Sequence, residues 1–255
     1  MRRRFFVEHF DGNSAALHGE AAEHLGRVLR AEPGQLYELS DGKKVWLGRV
    51  ERVALPKRGE SRIEFALVEP IAAREPALRI ELLIALVKFD RFEWCLEKAT
   101  ELGASDIIPL AAARTDKPLT AAAAKRRARW EKILLESAQQ ARRLRPPVLR
   151  VEPDGAPDKP EQAFARCSAA CKILLSERTG APPLRDVLEA AKGTPSGAAA
   201  ESAALAIGPE GGWTDAELSA ARAAGFAEAS LGENILRTET AVIAALAILG
   251  FALHG

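Results

Sequence analysis

Cysteine is scarce in this 255-residue chain. Cys95, Cys167 and Cys171 are the whole complement, too few for a disulfide framework and without a Cys-x-x-Cys pair. The four histidines, His9, His18, His24 and His254, stand singly, so no metal site is expected. Long hydrophobic runs are missing as well. The longest uncharged apolar stretch, Ala241 to Leu253, is too short to span a bilayer and reads as a buried helix. Arg2-Arg3-Arg4 begins like a signal peptide, but Phe5-Phe6-Val7 runs straight into Glu8, His9 and Asp11, leaving no apolar h-region. The expectation is a cytoplasmic chain with reduced thiols and no membrane partner. Familiar catalytic signatures are absent too. No Gly-Lys-Ser/Thr follows the glycine-rich stretch near residue 210, so it is not a P-loop; Gly-x-Gly-x-x-Gly and Gly-x-Ser-x-Gly do not occur.

Net charge is also nearly absent, at +1, but it is unevenly spread. Residues 114–150 hold 11 basic and 3 acidic side chains, the electrostatic footprint of a polyanion site. Binding through this segment is expected to depend strongly on salt.

What is present falls into two styles. Residues 1 to about 72 read as short strands, with Ser40-Asp41-Gly42-Lys43 as a hairpin turn and Arg62–Val68 alternating at period two. A short helix, Ala21 to Leu29, precedes them with Leu25, Val28 and Leu29 on one face. A small β-barrel-like module follows from this pattern, with Glu69 to Pro76 as its linker. From residue 73 to 255 strands and helices alternate, the mark of an α/β layer fold with a parallel sheet. The spacing predicts strands at Arg79–Val87, Asp106–Leu110, Lys172–Ser176 and Ala204–Gly208, and a helix from Arg91 to Leu102 stopped by Gly103. A long helix is predicted from a Thr120 cap to Arg143, basic residues outward, and a surface loop over Ala190–Ser202.

The last fifth carries two strand–glycine–helix units in succession. Leu205–Gly208 runs into Pro209-Glu210-Gly211-Gly212-Trp213, after which Thr214 and Glu217 form a capping box. Ala229–Leu231 runs into Gly232-Glu233-Asn234-Ile235-Leu236-Arg237, and Thr238 starts the terminal helix. Ligands of α/β sheets collect outside the carboxyl ends of strands, where glycine lets the backbone approach closely. Ile207, Gly208, Leu231, Gly232, Ile235 and Leu236 suit a flat, neutral ring, and Leu174–Glu177 ends an earlier strand on the same side.

Gly208-Pro209-Glu210-Gly211-Gly212, Leu231-Gly232 and Ile235-Leu236-Arg237-Thr238-Glu239-Thr240-Ala241 resemble the signature of the SPOUT methyltransferases. More narrowly, they resemble the bacterial enzymes that methylate N3 of a uridine in 16S ribosomal RNA. Phe5-Phe6, His24–Arg30, Pro33-Gly34, Lys98–Gly103, Ile108–Leu110 and Trp130-x-Lys132-Ile133 extend the likeness over nearly the whole chain. Phe89, Ala113 and Glu233-Asn234 depart from the family's pattern.

The resemblance implies a PUA-like RNA-binding domain over residues 1–72 and a trefoil-knotted SPOUT domain over 73–255. It also implies a homodimer, S-adenosylmethionine as methyl donor, and 16S ribosomal RNA or the small subunit as partner. Donor contacts fall on Leu175, Glu177, Ile207, Gly208, Pro209, Glu210, Gly211, Gly212, Leu231, Gly232, Ile235, Leu236 and Arg237. Removing a uridine N3 proton needs a base, for which Glu210 and Glu239 are candidates, and support for O2 or O4, for which Arg237 is the candidate. RNA contacts are expected from Arg3, Arg4, Arg27, Arg30, Lys88, Arg114, Gln140, Arg143 and Arg145. A ribose 2′-O methyltransferase of the same superfamily and a non-catalytic RNA-binding assembly factor are the alternatives.

Overall fold

A computed structural model of the chain describes residues 3–73, 75–192 and 202–253. The chain forms two compact units, one of Met1–Glu75 with Ala138–Pro146, the other of Pro76–Ser137 with Pro147–Gly255.

The first unit is a five-stranded sheet of β1 (Arg4–Phe6), β2 (Ser14–His18), β3 (Leu36–Ser40), β4 (Val45–Ala54) and β5 (Arg62–Ile71), in the order β1-β3-β4-β5-β2. Asp41-Gly42 makes the β3–β4 hairpin: the Asp41 carboxylate accepts from the amides of Lys43 and Lys44, and Gly42 has φ +83°. The sheet is open, since no ladder joins β1 to β2 among the described residues; two register shifts between β4 and β5 bend it. Its core is Phe5, Leu17, Leu25, Leu39, Val50, Ile63 and Phe65.

The helix expected at Ala21–Leu29 is instead α1 (Gly19–Glu23) followed by a π-helical turn, His24–Val28. The wider turn carries Val28 out of the apolar face, leaving it 65% exposed while Leu25 stays buried. A buried carboxylate, Glu38, accepts from Arg4 through Nε at 3.1 Å and Nη2 at 2.9 Å, and from Arg142 through Nε at 3.1 Å and Nη2. Ser40 donates to the Leu144 carbonyl at 2.6 Å. These bonds tie residues 138–146 into this unit.

The second unit has an all-parallel six-stranded sheet in the order β11-β9-β10-β6-β7-β8. In chain order its elements are β6 (Arg79–Ala85), α2 (Phe89–Glu101), β7 (Ala104–Leu110), α3 (Lys117–Ala123) and α4 (Arg127–Gln140). Then come β8 (Val148–Leu149), α5 (Pro160–Arg166), β9 (Cys171–Leu175), α6 (Leu184–Lys192), β10 (Ser202–Ile207), α7 (Asp215–Ala223), β11 (Ala227–Ala229) and α8 (Thr238–Leu253). Alternate strand residues serve opposite faces: Leu82 and Ile84 pack with Phe92, Trp130 and Leu246, whereas Leu83 and Ala85 pack with Phe164, Trp213 and Leu218.

Three expectations change here. Thr120 is no cap: it lies inside α3, which begins after Asp116 with Pro118 in its first turn. The long helix is interrupted by a 3-10 turn at Ala124–Arg126 and ends at Gln140, because Arg142 takes φ +53° and gives its guanidinium to Glu38. Finally, α8 is buried on one face only; Ile248 is 39% and Phe251 90% exposed, and Trp94 on the adjoining α2 is 42% exposed. Of the loop expected at Ala190–Ser202, residues 193–201 lie outside the described residues; Lys192 still ends α6 and Ser202 opens β10. No helix among the described residues is long and apolar enough to cross a membrane.

Candidate functional site

The carboxyl ends of β9, β10 and β11 open onto a cavity of about 280 Å³. Leu175, Ser176, Glu177 and Arg178 enter from the β9 end, Ile207–Trp213 from the β10 end, and Leu231–Leu236 from the segment after β11, with Thr238 and Ala241 of α8 closing it. Apolar side chains and backbone form most of its wall, and the Glu177, Glu210 and Glu233 carboxylates belong to its lining.

Local chemistry fixes the loop after β10. Gly212 donates its amide to the Pro209 carbonyl at 2.8 Å and takes φ +70°. The buried Trp213 donates Nε1–H to the Leu175 carbonyl at 2.9 Å, joining the β10 loop to the β9 end. Thr214 and Glu217 make the expected capping box. Glu217, almost fully buried, also accepts from the Ala113 amide at 2.8 Å, which holds the segment after β7 against α7. From that segment Arg114 reaches the Gly211 carbonyl at 2.7 Å and lines the cavity. Arg178 pairs with Asp215 at 3.0 Å across the β9 and β10 loops.

Nearly all residues expected at a donor site come together here: Leu175, Glu177, Ile207, Gly208, Pro209, Glu210, Gly211, Gly212, Leu231, Gly232, Ile235 and Leu236 all line the cavity. Arg237 and Glu239 do not. Arg237 is exposed, and Glu239 faces α2, where Arg91 Nε lies 3.9 Å away. Burial, then the Glu239 carboxylate, push the Cys95 thiol of α2 up to about 12, and all three cysteines are buried, so none is a ready nucleophile. Arg114, Ser176, Arg178 and Trp213 line the cavity without having been read as donor contacts. Ser176 and Arg178 flank Glu177, and Trp213 follows the glycine pair, so adjacency was the available signal.

The basic residues are dispersed in role. Arg3, Arg27, Arg30, Lys88, Arg114, Gln140 and Arg145 are exposed. Arg4 is buried on Glu38 and faces no solvent-borne partner. Arg143 is partly buried, and burial, then Arg145, lower its guanidinium to about 10. Arg126 and Arg129 both pair with Glu93, Arg127 with Glu131, Arg145 with Glu75 and Arg150 with Asp106; Arg126 also stacks 4.6 Å over Phe89.

A parallel α/β sheet whose glycine-rich strand ends wall a small-molecule cavity fits a group of transferase folds. Residues 74–250 match the family model described as RNA methyltransferase domain, and the chain belongs to that family. Among curated relatives it is similar to ribosomal RNA small subunit methyltransferase E of Synechocystis, 34% identical over 88% of this chain and 68% of that one. The protein of the same description from Bacillus subtilis is 29% identical over 98% of this chain and 96% of its own. Among solved structures, ribosomal RNA small subunit methyltransferase E from Neisseria gonorrhoeae, bound to S-adenosyl methionine, is 30% identical with TM-score 0.80 over 98% of both chains. A Legionella pneumophila putative methyltransferase with bound cofactor SAM is 30% identical, TM-score 0.80, over 99% of this chain and 98% of that one.

Proposed function

We propose that this chain transfers a methyl group from S-adenosylmethionine to small-subunit ribosomal RNA, and that the acceptor is N3 of a uridine in the 16S molecule. The carrying observation is the cavity at the ends of β9, β10 and β11, in a chain that matches a donor-bound relative end to end. The residues present fit the donor. Leu231, Ile235 and Leu236 with the Gly208 and Gly232 backbone suit its flat adenine, and Glu177 suits its hydroxyls.

S-adenosylmethionine supplies an electrophilic methyl group. The chain's part is to hold the uridine in line with it and to remove the N3 proton. Glu210, on the cavity lining, takes that proton as the N3–C bond forms. Arg237, exposed beside the cavity segment, steadies the negative charge on O2 or O4. The Arg237-Thr238-Glu239 run, where ribose-methylating relatives of the superfamily carry Asn-x-Ser, favours the base over the ribose. Residues 1–72 act as a PUA-like RNA-binding module, with Arg3, Arg27 and Arg30 among its contacts, and Lys88, Arg114, Gln140 and Arg145 contribute further.

The chain's path from β10 to the sheet edge at β11 and back into α8 beside α2 supports a knotted methyltransferase domain. The exposed Trp94, Ile248 and Phe251 support a second copy of the chain covering α2 and α8. A ribosomal RNA substrate supports a cytoplasmic location.

The test is methyl transfer from labelled donor to small ribosomal subunits lacking the modification, followed by nucleoside analysis. Label in 3-methyluridine is the expected result. Label on a ribose transfers the assignment to 2′-O methylation. No label and no donor binding by calorimetry leaves an RNA-binding assembly factor and overturns the enzyme.

A further inference from the structure

Two carboxylates in this region are coupled through one cation. Arg91, in the first turn of α2, places Nη1 3.3 Å from Glu210 Oε1 and Nε 3.9 Å from Glu239 Oε1. Glu210 sits in the β10 loop and lines the cavity; Glu239 sits in the first turn of α8 and does not. We propose that Arg91 is the positioning residue for Glu210, holding its carboxylate toward the cavity, with Glu239 as the fixed charge behind it. This rests on the reading of the cavity as the methyl-donor site.

An exposed ion pair alone would carry little weight. Here the rear anchor is immobile. Glu239 is mostly buried where α8 meets α2, and its Oε2 has no hydrogen-bond partner among the described residues, so this charge has little room to move. It attracts the Nε edge of a planar guanidinium across 3.9 Å, which leaves Nη1 turned toward Glu210. Glu210, about half exposed on a turn, has no other side-chain bond among the described contacts. Without Arg91 it is a free rotor beside a second negative charge. Positioning of this kind acts on rate more than on donor affinity, because most of the wall that would hold the donor is built from other residues.

The test is a double-mutant cycle on the full chain, with single-turnover methyl transfer to small subunits at saturating donor and donor affinity by calorimetry. Arg91→Ala is expected to slow transfer on the order of 30-fold, less than the loss for a full ångström of misplacement, while donor affinity stays near the parent's. Arg91→Lys, which keeps the charge but not the fork, recovers part of the rate. Arg91→Ala adds nothing once Glu210→Gln is present. Arg91→Gln, which keeps the stem, replaces the alanine variant if that one fails to fold. Additive losses in the cycle, or a fall in donor affinity parallel to the rate, overturn the positioning role. A parent chain that binds no donor and transfers no methyl overturns the functional reading itself, and is told apart by that control.

Discussion

Gly208→Val weakens binding of the methyl donor by about a hundredfold or more, some 2.8 kcal/mol at 1.4 kcal/mol per tenfold. A Cβ at Gly208 would lie 3.0 Å from Trp213 Cε2, 3.1 Å from Nε1 and 3.3 Å from Cδ2. The indole has no room to retreat. Its Nε1–H is committed to the Leu175 carbonyl at 2.9 Å, and Phe164 packs edge-on at 5.8 Å between ring centres. Either the indole shifts, breaking the bond that joins the β9 and β10 ends, or the Gly208–Gly212 loop moves into the cavity it walls. Both routes remove the shaped wall while leaving the core face around Phe92, Trp130 and Leu246 intact, so the variant should melt as a folded chain. Calorimetry with S-adenosylmethionine reads the effect. Unchanged affinity in a folded Gly208→Val chain means that the donor binds elsewhere.

The second large effect is on stability. Glu38→Ala destabilises the first unit by about 3–5 kcal/mol, the range for removing one partner of a buried ion pair. Glu38 is 2% exposed and Arg4 7%, so the substitution leaves a guanidinium enclosed with no counter-charge. Arg142→Ala costs less, because its side chain is nearly half exposed and Arg4 still satisfies Glu38. Hydrogen exchange of the β3 and β4 amides, with urea melts of both variants, separates the cases. A loss below about 1 kcal/mol for Glu38→Ala, as for a surface pair, would show that the pair does not hold the unit together.

Legibility in the sequence followed the range of the interaction. The strands around Leu82, Ile173 and Leu205 are apolar runs that only a sheet covered on both faces accommodates. The Thr214–Glu217 box and the Asp41-Gly42 turn are closed by partners two or three residues away, so a short window contains all of their chemistry. Most of the cavity was legible for the same reason: its glycines, Glu210, Leu231 and Leu236 sit in two continuous loops.

What escaped were long-range pairings. Arg91 is one cation among many on a helix until it meets Glu210, 119 residues on. Arg4 and Arg142 look like free positive charges until Glu38, 34 and 104 residues away, takes both. The exposure of Val28 follows from a π-helical turn that no hydrophobic period encodes. Nor does the apolar run of α8 after Thr240 say which of its faces its own fold leaves uncovered.

The pairing of the basic segment has a consequence for how the protein meets RNA. A nucleic acid gives up condensed counterions only where a cation arrives without its own partner, and that release is an entropic gain that salt erodes. Arg126, Arg127, Arg129, Arg142, Arg145 and Arg150 are all paired, on five carboxylates, Arg126 and Arg129 sharing Glu93. The strong salt dependence that eleven basic residues suggest is therefore revised: the affinity of this chain for RNA should fall with ionic strength along a shallower slope than eleven unmatched charges would give. Recognition then leans more on shape and on contacts to individual bases, which favours structured RNA over any passing polyanion.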